Sequence, residues 1–239
     1  MNEQEKNLSK LGEAWFVTGT DTEVGKTVVS AALLEAAANI GKVTAGYKPV
    51  ASGSEWRNGE MRDPLRNTDA LALQSASSIS LSYAEVNPYT FEEPTSPHII
   101  SADEGKPIAF SVMSEGLQAL RKKADWVLVE GAGGWYTPLS ESTSFAQWAQ
   151  QEQLPVILVV GVKLGCINHA LLTAQAVQQS GLRLGGWVAN CVIESGPRHA
   201  EYMATLRRLL PVACLGEIPH LPQANARALA RYLDLSFLY

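Results

Sequence analysis

One run of nine residues sets the limits on what this chain can be: Gly19-Thr20-Asp21-Thr22-Glu23-Val24-Gly25-Lys26-Thr27. It follows a short apolar segment, Ala14–Thr18, and leads into an Ala-rich stretch, Gly25–Ile40, that reads as a helix ended by Gly41. A strand that turns through glycine into a helix aims backbone N–H groups at one point, where the helix dipole is positive. Gly25 lets the main chain approach a phosphate closely. Lys26 adds a point charge for the β- and γ-phosphates, and the Thr27 hydroxyl is placed for magnesium. Five residues separate the two glycines, one more than the usual phosphate-loop spacing, so in strict register Thr20 replaces the first glycine.

A phosphate loop of this kind belongs to an α/β fold, and the rest of the chain agrees. Short apolar runs at Val43–Lys48, Trp126–Glu130, Val156–Val162, Trp187–Asn190 and Cys214–Ile218 read as further strands. Val156-Ile157-Leu158-Val159-Val160 has no polar face, which marks a strand covered on both sides. Helical stretches lie between them: Thr68–Ala76, Ser111–Lys123, Thr143–Gln151, Asn168–Ser180 (with Asn168 as the cap), His199–Leu209 and Ala224–Leu233. The alternation predicts a doubly wound, mostly parallel sheet with helices on both faces. With 239 residues, 46% of them apolar, one domain is expected over residues 13–239, preceded by a disordered lead over 1–12. Gly53–Pro64 reads as a mobile loop.

The net charge of −5 argues against nucleic acid or an anionic membrane as a partner. Arg121-Lys122-Lys123 and Arg207-Arg208 fall near predicted helix ends, where basic side chains meet the negative end of the dipole. No run of ~18 apolar residues could span a bilayer, and Met1–Lys10 lacks an apolar signal-peptide core. Cys166, Cys191 and Cys214 form no disulfide framework, which fits a cytoplasmic location. The four histidines show no metal-ligand spacing, so no zinc site is expected.

Magnesium beside a nucleotide needs carboxylates besides the loop hydroxyl. Glu130 ends an apolar run and precedes Gly131-Ala132-Gly133-Gly134, the expected edge for a nucleotide, with a glycine-rich turn behind it. A helix-capping or salt-bridged role is the plainer alternative. Asp69 reads as a first-turn helix Asp or as a second ligand. Lys48 ends the second strand before Pro49. If that strand lies beside the first, Lys48 reaches the phosphate loop, where burial demands an anionic partner. Otherwise it is a surface lysine. Ser52 either donates to a substrate or closes a turn, and Pro94-Thr95-Ser96-Pro97-His98 is a rigid loop that lines a pocket or simply turns the chain. Gly161-Val162-Lys163-Leu164-Gly165-Cys166-Ile167-Asn168-His169 suits a partner surface or an ordinary strand-to-helix loop. The Asn190 amide, both donor and acceptor, suits a base edge.

Together these pieces resemble the dethiobiotin synthase family over nearly the whole chain, from about Trp15 to Asp234. The strongest are Thr18–Thr27, Gly46-Tyr47-Lys48-Pro49-Val50 and Val129-Glu130-Gly131-Ala132-Gly133-Gly134. Glu93–His98, Val162–His169 and Gly186-Trp187-Val188-Ala189-Asn190 add to them, and the long glycine gap is itself a family trait. The resemblance implies a homodimer that converts 7,8-diaminononanoate (a diamino carboxylic acid), CO2 and ATP into dethiobiotin in a magnesium-dependent reaction. It implies that Lys26, Lys48 and Thr22 carry the catalysis, and that Thr27, Asp69 and Glu130 hold Mg2+. ATP would meet Glu23, Val24, Gly25, Lys26, Thr27, Val28, Gly131, Ala132 and Gly133, with Asn190, Cys191, Pro219, His220 and Leu221 around adenine. The diamine or its carbamate would meet Thr22, Ser52, Pro94, Thr95 and Ser96. Gly165, Cys166, Ile167 and Asn168 would reach it from the second subunit. Many family members carry a carboxylate near Ala226, which Ala226 cannot replace. The competing reading is a partitioning-type regulatory P-loop ATPase. Such proteins carry a second lysine early in the loop, where this chain has Thr20 and Asp21.

Overall fold

The computed structural model describes residues 11–57, 64–221 and 223–239. Six strands form one sheet: β1 (Glu13–Gly19), β2 (Thr44–Tyr47), β3 (Trp126–Gly134), β4 (Val156–Gly161), β5 (Leu184–Asn190) and β6 (Cys214–Ile218). Their spatial order is β6-β5-β4-β1-β3-β2, and every pairing is parallel. All of β4 is buried, as its unbroken apolar run requires of a strand covered on both faces. The chain leaves β1 toward β2 on one side and later returns past β1 to build β4 on the other. This reversal puts the phosphate loop at the switch point of the sheet, where such folds bind ligands.

The principal helices are α1 (Lys26–Asn39), α2 (Thr68–Ala76), α3 (Pro97–Asp103), α4 (Phe110–Arg121), α5 (Phe145–Gln151), α6 (Cys166–Gln179), α7 (His199–Leu209) and α8 (Ala226–Ala230). Helix α1 is rich in Ala and Leu and mostly buried, the pattern of a core helix. It stops in a Schellman closure: Gly41 takes φ 88°, its N–H reaches the Ala38 carbonyl, and the Lys42 N–H reaches that of Ala37. Helix α5 seats Phe145 and Trp148 on Phe16 of β1, with ring centroids 5.9 and 6.4 Å away. Arg121 and Arg207-Arg208 occupy last turns, as their charge predicts. Among the described residues no helix is long and apolar enough to cross a membrane.

Several expectations need correction. The strand Thr44–Tyr47 pairs with β3 and not with β1, because the later strand inserts between them. Helix α6 begins at Cys166: Gly165, at φ 93°, is its cap, and Asn168 lies inside the first turn. Helix α8 is shorter than the predicted 224–233. Pro97 and His98 belong to a helix, for which Pro97 supplies a pre-set first-turn φ. The strand carrying Glu130 does not turn at Gly131 but runs on to Gly134, with a register shift against β1. Within the Gly53–Pro64 stretch, Glu55–Trp56 pairs antiparallel with Leu65–Arg66 just beyond it, while residues 58–63 lie outside the described residues. Residues 1–10 of the predicted lead also lie outside them. Gly12 is already held by Arg121, through its N–H to the Arg121 carbonyl and its own carbonyl to Nε at 2.8 Å.

Candidate active site

The register of three neighbouring strands assembles the site. Tyr47 is level with Val129, so Lys48 and Glu130 follow at the same height along adjacent strands. Val17 pairs with Glu130, so the same level leads directly into the phosphate loop. Lys48 Nζ donates to Glu130 Oε1 at 2.6 Å and to the Gly131 carbonyl at 3.1 Å, and lies 3.2 Å from Asp69 Oδ2. Thr27 Oγ1 donates to the same Glu130 Oε1 at 3.0 Å. Hydroxyl, two carboxylates and an ammonium therefore meet at one point.

Electrostatics follows from burial. Glu130 and Lys48 are almost wholly inside the protein. Burial alone would lower the Lys48 pKa, but the Glu130 and Asp69 carboxylates outweigh it and raise the value. Burial would raise the Asp69 pKa, but the Lys48 ammonium overrides it and lowers the value. Lys26 lacks so close a counter-charge. Its Nζ donates to the Asp21 carbonyl at 3.0 Å, and burial plus repulsion from Lys48 bring its pKa down to about 8. An anion with several negative oxygens is the ligand that would relieve Lys26 and the Lys26–Lys48 repulsion.

The donor set also fits a hard divalent cation, because Thr27, Asp69 and Glu130 offer only oxygen. Glu130 Oε2 is buried without a hydrogen-bond partner among the described residues, which leaves an acceptor for such a cation.

A cavity of about 640 Å3 opens over this point. Of the predicted residues, Thr22, Glu23, Gly25, Lys26, Thr27, Val28, Lys48, Ser52, Asp69, Pro94, Thr95, Ser96, Glu130, Ala132 and Gly133 line it. Ser52 Oγ donates to the Thr95 carbonyl at 2.8 Å, tying together the two segments opposite the lysines. Val24 is buried beneath the loop. Its carbonyl accepts from Asn190 Nδ2 at 2.9 Å, so one donor of the amide expected at a base edge braces the phosphate loop. The predicted base-binding segments do adjoin: Cys191 N–H reaches the Ile218 carbonyl, and His220 Nδ1 lies 3.3 Å from the Cys191 carbonyl. Pro219, His220 and Leu221 lie outside the cavity lining, as do Gly165, Cys166, Ile167 and Asn168. The Cys166 side chain is buried. Ala226 sits next to Asn225, whose side chain is engaged in capping α8.

Sequence reading missed several supports. Asn87 Nδ2 donates to the Lys48 carbonyl at 2.6 Å and fixes the segment that carries the lysine. Asn67 caps α2 through its Oδ1 and donates to the Ser52 carbonyl at 3.1 Å, linking the Asp69 turn to the Ser52 loop. Thr137 lines the cavity and both donates to and accepts from Gly134. Asn67 before a helix and the Gly134–Thr137 turn are local features, whereas the Asn87–Lys48 and Asn67–Ser52 contacts join distant parts of the chain.

A family model described as an AAA domain matches residues 13–228. The chain is 65% identical over 230 residues to ATP-dependent dethiobiotin synthetase BioD 1 of Escherichia coli (strain K12), covering 95% of this chain and 100% of that protein. It is 61% identical over 229 residues to ATP-dependent dethiobiotin synthetase BioD of Serratia marcescens, covering 95% of this chain and 99% of that one. Among solved structures, the MinD cell division protein of Aquifex aeolicus superposes with TM-score 0.54 at 14% identity, covering 94% of this chain and 88% of that one. That likeness reports a shared fold alone. With a relative at 65% identity matched over its full length, and a cavity built from the same segments that carry the resemblance, the chain belongs to the ATP-dependent dethiobiotin synthetase family.

Proposed function

We propose that this protein catalyses ATP-dependent formation of dethiobiotin from 7,8-diaminononanoate and CO2 in the cytoplasm, as a homodimer that uses Mg2+. One observation carries this reading. Two ammonium groups, a hydroxyl and two carboxylates converge beneath one cavity, and the Ser52 and Thr95–Ser96 segments face them across it. The family membership, and the dethiobiotin synthetase activity for which the relatives are named, support the substrate.

An amine of the substrate captures CO2 as a carbamate. A carbamate oxygen attacks the γ-phosphorus of ATP, ADP leaves, and a carbamic–phosphoric anhydride results. The neighbouring amine attacks its carbonyl, a five-membered cyclic urea closes and phosphate departs. Covalent help from the protein is unnecessary, because positioning alone can supply ~7–11 kcal/mol of the barrier. Lys26 neutralises charge on the terminal phosphate, and Lys48 holds the carbamate oxygen against it. Thr22, Ser52 and the Pro94–Ser96 segment orient the substrate from the far wall. Thr27, Asp69 and Glu130 would hold Mg2+, whose charge offsets that of the phosphate oxygens. Asn190, Cys191 and the Pro219–Leu221 turn would flank adenine. Exposed Leu164 and Leu172, at 87% and 59%, support a second subunit docking near Gly165–Asn168.

Phosphate release with ATP, Mg2+, bicarbonate and diaminononanoate, omitting each component in turn, tests the proposal. Release is expected only when all four are present. Release that ignores the diamine overturns the ligase reading in favour of a regulatory ATPase.

A further inference from the structure

A second set of donor groups converges away from the phosphate site. Cys191 directly follows β5, Glu217 lies on β6 beside it, and His199 opens α7. Strand pairing places Glu217 opposite Ala189, and the Cys191 N–H bond to the Ile218 carbonyl fixes the thiol at the same edge. Sγ of Cys191, Nε2 of His199 and a carboxylate oxygen of Glu217 all lie within 4.8 Å of one another. Cys191 is buried while His199 and Glu217 are half-buried, so one side of the cluster faces solvent.

The three groups differ in the way zinc-class metals favour: one thiolate, one imidazole, one carboxylate. Magnesium and calcium prefer oxygen alone. Bond lengths of ~2.0–2.3 Å in a tetrahedron set ligand atoms roughly 3.3–3.6 Å apart. His199 Nε2 and Glu217 Oε1 now stand 2.6 Å apart. Side-chain rotations that lengthen the His199–Glu217 contact and draw in the Cys191 thiol would bring the three atoms to tetrahedral spacing. Arg207 lies 3.4 Å from Glu217 Oε2, which steadies the carboxylate and leaves Oε1 toward the cluster. Thiolate and carboxylate together balance the charge of a divalent ion in this partly buried setting, with the exposed Arg207 guanidinium at the rim.

We propose that Cys191, His199 and Glu217 form a binding site for a zinc-class divalent metal ion, with the fourth position open to water or an added ligand. On binding, the Cys191 thiol releases its proton to solvent and the neutral His199 ring carries its hydrogen on Nδ1; no electron is transferred. The cluster shares Cys191 with the segment that would flank adenine, but the cobalt readout below needs neither nucleotide nor turnover, so its outcome is separate from that of the ligase reading.

Cobalt titration of the full-length, untagged, metal-stripped protein provides the test. One equivalent of Co2+ is expected to give tetrahedral visible bands and a near-ultraviolet thiolate charge-transfer band. Zn2+ should bleach both, and excess Mg2+ should leave them unchanged. Cys191→Ser should remove the charge-transfer band, and Glu217→Gln should weaken cobalt binding roughly 10-fold or more. The Cys166→Ser/Cys214→Ser double variant should keep the full spectrum. Absence of a thiolate band at stoichiometric cobalt in the unaltered protein overturns the proposal and leaves His199–Glu217 as a structural hydrogen bond. A band that survives Cys191→Ser overturns it equally. The first result needs no variant, so a folding defect in a variant cannot protect the idea.

Discussion

Lys48 Nζ lies 2.6 Å from Glu130 Oε1, and both side chains are almost fully removed from water. A buried carboxylate stripped of its only close ammonium is an uncompensated charge, and breaking such a pair costs about 3–5 kcal/mol. Lys48→Met should therefore destabilise the protein by that amount in urea denaturation at neutral pH. The Lys48→Met/Glu130→Gln double variant should recover most of the loss. Mg2+ should raise the melting temperature of Lys48→Met more than that of the unaltered protein, because the ammonium no longer competes for Glu130. Equal Mg2+ responses would show that Glu130 does not receive the cation.

Gly25 takes φ 79°, and a Cβ there would fall 2.1 Å from Asn190 Nδ2. Gly25→Ala meets both a left-handed backbone, at about 1–3 kcal/mol, and a side chain already bonded to Val24. It should lower stability and weaken binding of a fluorescent ATP analogue by at least about tenfold, since 1.4 kcal/mol is a factor of ten. Adding Asn190→Ala removes the clash but not the backbone strain, so it should restore only part of the affinity. Full restoration would show that Asn190 alone makes glycine necessary.

How far these features could be read from the chain depends on how local they are. The Gly25-Lys26-Thr27 cradle, the buried β4 run and the bounds of α2 and α7 are carried by neighbouring residues, and the structure keeps them. Lys48 is different. The sequence brings it near the phosphate loop by pairing its strand with the first, whereas the strand pairs with β3 and the lysine meets Glu130, because strand order is set by the packing of distant segments and leaves no local mark. The Asn87–Lys48 contact, and the meeting of Cys191 with His199 and Glu217, are equally non-local. Asn168 misled for another reason. A good capping residue stood three positions after a glycine at φ 93°, and the backbone geometry of Gly165 decided where the helix starts.

Lys26 is held in the fold at a cost that can be measured. Its ordinary pKa of 10.5 falls to about 8, first through burial and then through Lys48. A lysine whose folded value lies below its unfolded one destabilises the fold at every pH under the folded value. The penalty fades between about 8 and 10.5, as the folded side chain gives up its proton before the unfolded one does. At about 1.4 kcal/mol per unit, the penalty is roughly 3 kcal/mol at pH 7 and roughly 2 kcal/mol at pH 9. Lys26→Met should therefore be more stable than the unaltered protein in urea at pH 7, without nucleotide, with a gain that shrinks by pH 9. Its turnover should drop by roughly 2 decades or more, as expected for loss of a key electrostatic group. A variant less stable at pH 7, or equally stabilised at both pH values, would show that the strained charge is not Lys26.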